Sequence, residues 1–393
     1  MWASVHVGFS LLTMFPGRVG GSETYARGLL AEFARGNGPE RVTVLANRHV
    51  AAACAAPAHG PVTVHEMRSY RPGDSPPTRA LAMAGAAAAP RRAARDLPAG
   101  LDVLHQAVTV PIPRAPLPTV VTVHDVHHLD ERGPRSLPLR LYRRWAYDGA
   151  ARAADVVIAT SEFSRRRIVD GMGVAAERVA VVPLGIDHAT FSPQRPAADD
   201  ACLEALRAPE SFLLYPANLW PHKNHAALLA ALAQLGDAEL HLVLAGEPYG
   251  RLAALTARAR RLGLVSRVHH VGHVEAAVLA ALYRRARAVI FPSLHEGFGL
   301  PPLEAMACGC PVATSAAGAL GDLPADAALR FDPATTASIA RSIEQIVYHS
   351  GLRSTLIAAG KRVAANFTWQ ACAQRHIEIY ARVADTPGAP GPS

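Results

Sequence analysis

The chain has almost no lysine. Of its 40 basic residues only Lys223 and Lys361 are Lys, and the rest are Arg. Aromatic residues are scarce at 6%. The arginines recur at helical spacing in "RRAAR", "LRLYRR" and "SRRRI", with no nucleic-acid-binding motif behind them. The net charge of +8 is therefore read as solvated helix faces. Cysteine is limited to five, an odd number scattered over 393 residues, which argues against a disulfide framework. Cys308 and Cys310 are too isolated for a zinc site and are expected as buried thiols. No apolar run approaches the ~20 residues of a membrane span. The apolar start "MWASVHVGFSLLTMFPG" lacks a basic leader and a small-residue cleavage site, so it is read as a first strand. These absences point to a cytoplasmic protein. Neither Asp-x-Asp nor Gly-x-Gly-x-x-Gly occurs, so no acidic metal site and no dinucleotide fingerprint are visible.

What is present is a globular composition, with 50% apolar and 18% charged residues, on a chain long enough for two domains. Short β-branched runs alternate with Ala/Leu/Arg-rich helical stretches. Strands are expected at 5–10, 42–46, 62–66, 102–105, 119–125, 155–160 and 178–183, then at 212–217, 240–246, 267–272, 288–293 and 311–315. Helices are expected at 22–35, 78–95, 138–152 and 161–171, and then at 224–235, 250–262, 275–286, 302–308, 333–348 and 352–365. Such alternation implies an α/β fold of parallel sheets covered on both faces. The polar, Pro-bearing stretch at 187–200 divides it into two Rossmann-like domains. The expected boundaries are 1–187, a linker at 188–210, 211–366, a closing helix at 367–385 and a disordered tail at 386–393. In open α/β sheets ligands sit beyond the C-terminal ends of the strands, so the natural site is the cleft where two such edges face each other.

The residues just after strands carry the chemistry. After the first strand, Gly20 and Gly21 precede Ser22, an expected N-cap, and Glu23; a Gly pair there lets backbone N–H groups approach an anion, or is a plain tight turn. After "TVVTV" come His124, Asp125, His127 and His128, whose spacing does not fit a zinc pair; a single His facing the cleft is the better candidate. Lys223 follows "FLLYPA" at a helix start, where a cation is unfavourable unless an anion is bound beside it. In a chain that avoids Lys, its compact ammonium implies a bound phosphate. In "LHEGFGLPPLEAMACGCP", Gly297-Phe298-Gly299 makes a turn, and Pro301 and Pro302 suit the first positions of a helix. The N–H groups of Phe298, Gly299 and Leu300 are expected to form an anion nest, with Glu304 in the first helical turn and Glu296 in the loop before it. A carboxylate accepts two hydroxyls of a vicinal diol, so Glu304 suits a ribose and Glu296 a sugar ring.

Taken together these motifs resemble the retaining GT-B glycosyltransferases of family 4. The E-x7-E pattern matches Glu296 to Glu304, the basic loop matches "PHKN", the Gly-rich first loop matches "GGSE", and the strand-end His matches "VHD". "ADVVIATSEFSRRRI…ERVAVVPLGID" and "FTWQACAQRHIEIY" resemble the end of that family's first domain and its closing helix, which crosses back onto the first domain. The resemblance implies a transferase that needs no cofactor or metal and takes a hexose-type sugar from a nucleoside diphosphate sugar. It implies an acceptor-binding first domain and a donor-binding second domain. It places Glu304 on the ribose, Glu296 on the sugar hydroxyls, Lys223 on the diphosphate with Phe298, Gly299 and Leu300 nearby, Gly20 and Gly21 at phosphate or acceptor, and His124 beside the anomeric carbon. This chain has Pro216-Ala217 where many members have Gly-Arg, so the second phosphate-binding cation is absent or supplied by His222 or a distant Arg.

The acceptor is a hydroxyl on a glycan, lipid-linked or small molecule, from the envelope or from secondary metabolism, and contact with the inner membrane face stays open. Nucleic acid is not an expected partner. The rivals are a nucleotide-sugar epimerase or phosphorylase on the same scaffold, or a non-catalytic basic module that binds membranes or nucleic acid.

Overall fold

The β-branched runs of the first half form one parallel sheet, and most are joined by helices that carry the chain back across it. Its strands are β1 (His6–Ser10), β2 (Arg41–Ala46), β3 (Val62–Glu66), β4 (Val103–Gln106), β5 (Thr119–Val123), β6 (Val156–Ala159) and β7 (Val179–Val181), in the order β3-β2-β1-β4-β5-β6-β7. In the second half β8 (Phe212–Pro216), β9 (His241–Ala245), β10 (Val268–Gly272), β11 (Ala288–Phe291), β12 (Val312–Ser315) and β13 (Leu329–Phe331) lie in the order β10-β9-β8-β11-β12-β13. Central strands such as β8 and β11 are buried at every residue, as two-sided coverage requires. The protein's structure, a computed structural model, describes residues 5–17, 20–54, 60–73, 75–89, 92, 94–130 and 143–385.

The chain separates into two compact units. The first comprises Met1–Gly185 with Trp369–Ser393, and the second comprises Ile186–Thr368. The helices used below are α1 (Gly21–Ala34), α2 (Ala198–Ala205), α3 (His225–Gln234), α4 (Ala276–Arg285), α5 (Leu300–Ala307) and α6 (Trp369–Ala384).

The expected strands are all present, within two residues at either end. β13 was not expected. The stretch read as a linker at 188–210 belongs to the second unit and contains α2, whose Asp199 is gripped by Arg284 of α4 at 2.6 and 2.7 Å. That pair is buried, so it fixes α2 to the body of the unit. The helix expected at 78–95 spans Pro76–Ala88, and of that expected at 138–152 the residues up to 142 lie outside the described part. So does the tail at 386–393.

The core of the second unit runs through Tyr215, Val243, Leu282, Phe291, Leu303 and Ile343. In the first unit α6 packs on α1. Gly28 makes this possible, since a Cβ there would lie 2.2 Å from the Trp369 ring. Cys308 and Cys310 are buried as expected, and burial pushes the Cys308 thiol up to about 12. Among the described residues no helix is long and apolar enough to cross a membrane.

Candidate functional site

Strand order decides what meets in the second unit. β8 leads outward to β9 and β10, whereas the return strand β11 lies on the other side of β8. This reversal leaves the loops after β8 and β11 as neighbours at the C-terminal sheet edge, the position where open α/β sheets hold ligands. The backbone stitches them together, for Leu294 N–H donates to the His222 carbonyl at 2.7 Å and Ser293 Oγ donates to the same oxygen at 3.3 Å. Pro221–Lys223 form a single 3-10 turn, and Asn224, left-handed at φ 58°, turns the chain into α3. The Tyr215 hydroxyl donates to the Lys223 carbonyl at 2.7 Å, and Asn224 Nδ2 to Pro333 O at 2.9 Å. Lys223 is thus held at its carbonyl by β8, and its neighbour Asn224 by the segment after β13.

Its side chain is held as well. Lys223 Nζ donates to Glu296 Oε1 at 2.5 Å and lies 5.6 Å from the centre of the Phe291 ring. Side-chain exposures of 17% and 12% leave this pair within reach of a ligand but mostly shielded from water, where an ion pair is screened less than at the surface. Glu296 is fixed by a backbone contact that the sequence did not announce. Ala319 N–H donates to the Glu296 carbonyl at 2.9 Å, and Gly318 lies so close that a Cβ would meet that oxygen at 2.4 Å.

Glu304 is placed differently from expectation. Gly299, at φ 97°, is the N-cap of α5, so the helix starts at Leu300 and Glu304 falls in its second turn, not its first. Pro301 and Pro302 occupy early positions where their missing N–H groups cost nothing, and no side-chain cap covers this helix start. Glu304 consequently points into the body of the unit, where Tyr283 Oη donates to its Oε2 at 3.2 Å. Burial pushes its carboxyl up to about 7, against the smaller downward pull of the Tyr283 hydrogen bond. Phe298 packs edge-on to Phe367 at 5.8 Å.

In the first unit, α1 begins at Gly21 with Gly20 as its N-cap at φ 58°, ψ −128°, a conformation that favours glycine. Ser22, expected as the cap, is inside the helix. Among the described residues, apart from its chain neighbours and its own helix backbone, nothing lies within 4 Å of a Cβ built on Gly20 or Gly21, so packing there asks for neither glycine. Glu23 accepts from Gly17 N–H at 2.7 Å and from Arg27 Nε at 2.9 Å, tying the preceding loop to the helix. His124 is the first residue beyond β5. Its Nε2 meets the Ala107 carbonyl at 2.7 Å, and because a carbonyl only accepts, Nε2 carries the proton and Nδ1 keeps a lone pair. Burial lowers its pKa, so the ring is neutral. The neighbouring histidines part company, since His128 Nε2 lies 3.0 Å from Asp148 Oδ1 and His127 N–H donates to Asp125 at 2.6 Å. Among the described residues no group of three or more His, Cys, Asp or Glu is placed to hold a metal ion.

The second unit therefore brings Lys223 and Glu296 into direct contact, with Gly299 and Leu300 at the start of the helix that follows Glu296 and Glu304 one helical turn further. Sequence reasoning missed Tyr215, Tyr283 and Gly318. Two of these are tyrosines in a chain poor in aromatics, which was the available signal; Gly318 carried none.

Known proteins bear on the same two halves. The family described as Glycosyltransferase Family 4 matches residues 19–190, and that described as Glycosyl transferases group 1 matches residues 204–363. The O-antigen chain mannosyltransferase B of Escherichia coli is 32% identical over 239 residues, 58% of this chain and 61% of that protein. A D-inositol 3-phosphate glycosyltransferase of Kineococcus radiotolerans is 32% identical over 250 residues, 58% of each chain. The matched region thus spans less than two thirds of the length of these relatives. Among solved structures, sucrose-phosphate synthase from Thermosynechococcus elongatus superimposes with a TM-score of 0.78 at 21% identity, covering 96% of this chain and 99% of that one. Anabaena HepE in complex with UDP and glucose does so at 0.73 and 20%, covering 96% and 100%. At such identities these two likenesses establish the GT-B fold.

Proposed function

Because the chain belongs to the glycosyl transferases group 1 family, we propose that it moves a hexose-type sugar from a nucleoside diphosphate sugar to a hydroxyl acceptor, with retention at the anomeric carbon and without a metal ion. The observation that carries this reading is the Lys223–Glu296 pair at the strand-order reversal, beside the uncapped start of α5. The departing diphosphate is an anion and needs charge stabilisation rather than a general acid. Lys223 and the N–H groups of Phe298, Gly299 and Leu300 supply it, and the sequence has no Asp-x-Asp to hold a divalent cation instead. Glu304 takes the ribose hydroxyls and Glu296 those of the sugar. His124 accepts a sugar hydroxyl at Nδ1, and Gly20 with Gly21 leaves room for phosphate or acceptor at the start of α1. The first unit serves the acceptor and the second the donor.

Retention follows front-face attack. The anomeric carbon–oxygen bond to the diphosphate breaks as the acceptor oxygen bonds to the same face. The acceptor proton passes to the departing phosphate oxygen. Two of the relatives, including an MMP alpha-(1->4)-mannosyltransferase of Mycolicibacterium hassiacum, are named as mannosyltransferases, so mannose donors head the trial set.

The test is a mass-spectrometric screen of UDP-, GDP- and dTDP-sugars for slow hydrolysis and for transfer to added acceptors, repeated in EDTA. Release of nucleoside diphosphate that persists in EDTA supports the reading, and an axial or equatorial anomeric bond unchanged from donor to product supports retention. A glycosyl adduct trapped on any side chain rules out the front-face route.

A further inference from the structure

Five buried polar side chains in the first unit form a chain of hydrogen bonds that the reaction above does not use. Tyr25 of α1, His105 of β4, Thr122 of β5, and His376 and Tyr380 of α6 are each at most 1% exposed. Tyr380 Oη lies 2.6 Å from His105 Nδ1, and His105 Nε2 is 2.8 Å from Thr122 Oγ1. Thr122 Oγ1 is 3.0 Å from Tyr25 Oη, which is 2.7 Å from His376 Nε2, and His376 Nδ1 ends the chain 2.8 Å from the Cys372 carbonyl.

The protons have only one arrangement that satisfies every link. The Cys372 carbonyl only accepts, so His376 carries its proton on Nδ1 and leaves a lone pair on Nε2. Burial lowers the pKa of His376 and of His105, which keeps both rings neutral. Tyr25 must then donate to His376, and so accepts from Thr122. Thr122, its one proton spent, accepts from His105 Nε2–H, and His105 Nδ1 accepts from Tyr380. The chain begins and ends on α6, and one of its inner members is Tyr25. The ring of Tyr25 stands nearly perpendicular to that of His124, with centroids 4.8 Å apart at 71°.

We infer that Tyr25 is a positioning residue: the hydrogen-bond chain anchored on α6 pins its ring against His124 and so sets where the free Nδ1 of His124 lies. The placement matters because a misplacement near 1 Å at a reacting group costs up to about 100-fold in rate. The inference rests on the reading of His124 as a sugar-binding group, while its structural half stands alone.

The experiment uses the full chain with ¹⁵N-labelled histidine and two variants that keep side-chain shape, Tyr25→Phe and Thr122→Val. Each removes a donor from the chain and leaves an aromatic ring of the same size facing His124. The His124 ring resonances, assigned by their loss in His124→Ala, are expected to shift in both variants. The kcat for transfer is expected to fall about tenfold, with donor KM within twofold of the parent and with the thermal melt of the folded protein still cooperative. Unmoved His124 resonances in either folded variant overturn the inference, and so does an unchanged kcat in a protein whose His124→Ala variant is impaired. If His124→Ala transfers at the parental rate, the reading of His124 falls, and the ring resonances still decide whether Tyr25 positions it.

Discussion

Lys223 donates to Glu296 across 2.5 Å, so the cation and the carboxylate drawn from opposite sides of the strand-order reversal act as one unit. The sequence reading divided their roles, with Lys223 on the diphosphate and Glu296 on the sugar. Their contact couples those roles. Glu296→Gln removes the charge that holds Lys223 and leaves the ammonium free to reorient. Donor affinity is therefore expected to fall together with transfer, each by about tenfold, equivalent to ~1.4 kcal/mol. Calorimetry with nucleoside diphosphate alone checks this. An unchanged diphosphate affinity in Glu296→Gln would show that Lys223 keeps its place without its partner.

If Glu304 takes the ribose as proposed, its burial sets the sign of a pH dependence in nucleotide binding. Its carboxyl is pushed up to about 7, so in the ligand-free protein it is mostly protonated at pH 6 and mostly ionised at pH 8. A ribose diol donates hydrogen bonds, and an ionised carboxylate accepts them more strongly. Nucleotide affinity is expected to rise about tenfold from pH 6 to pH 8, and to lose that slope in Glu304→Gln. Tyr283→Phe removes the hydrogen bond that lowers the pKa, so its midpoint should move to higher pH. Titrations across this range, in buffers of matched ionic strength, measure both shifts.

Much of this arrangement was legible and some was not, for identifiable reasons. β-branched runs such as "FLLYP" and "AVIF" announce buried parallel strands, and both are present where expected. β13 escaped because "LRF" is three residues long and runs into Asp332 and Pro333. The helix Ala198–Ala205 was hidden in a polar stretch beside Pro193 and Pro196, and its anchor, Arg284, is 85 positions away. Lys223 and Glu296 were each visible as candidates. Their contact was not, because β8 lying next to β11 is a property of the whole sheet. Glu304 was placed one turn too early, since the left-handed Gly299 starts the helix before the prolines.

Gly318 is a test of how Glu296 is held. Its φ of 63° already disfavours other residues, and a Cβ would lie 2.4 Å from the Glu296 carbonyl oxygen and 2.7 Å from its nitrogen. Both are backbone atoms and cannot swing aside. Gly318→Ala should displace Glu296, lowering transfer more than tenfold, of the order seen for a misplaced reacting group. Steady-state rates beside a circular-dichroism melt separate this from unfolding, and parental activity in Gly318→Ala would show that the loop yields without moving Glu296.

The buried histidines of the first unit make its stability acid-sensitive. His376 is lowered to about 4 and His105 lies well below its ordinary value, both by burial, while in the unfolded chain each returns to roughly 6.5. The unfolded state then binds more protons below about pH 6.5, so stability is fully present above that pH and is lost as pH falls toward 4. His376→Gln should flatten this part of the profile at some cost in stability at neutral pH. Urea melts at pH 7, 6 and 5 on both proteins read the difference, and a parent as stable at pH 5 as at pH 7 would contradict it.

The docking of α6 depends on a glycine on the facing helix. A Cβ at Gly28 would fall 2.2 to 2.5 Å from three atoms of the Trp369 indole, so Gly28→Ala forces the ring, and with it the first turn of α6, away from α1. Overpacking of this kind costs about 1–3 kcal/mol. A fall in melting temperature of several degrees is expected in Gly28→Ala. Trp369→Leu vacates the space above position 28, so in the double variant part of the loss from the alanine should disappear. Strictly additive losses from the two changes would show that the indole does not rest on Gly28.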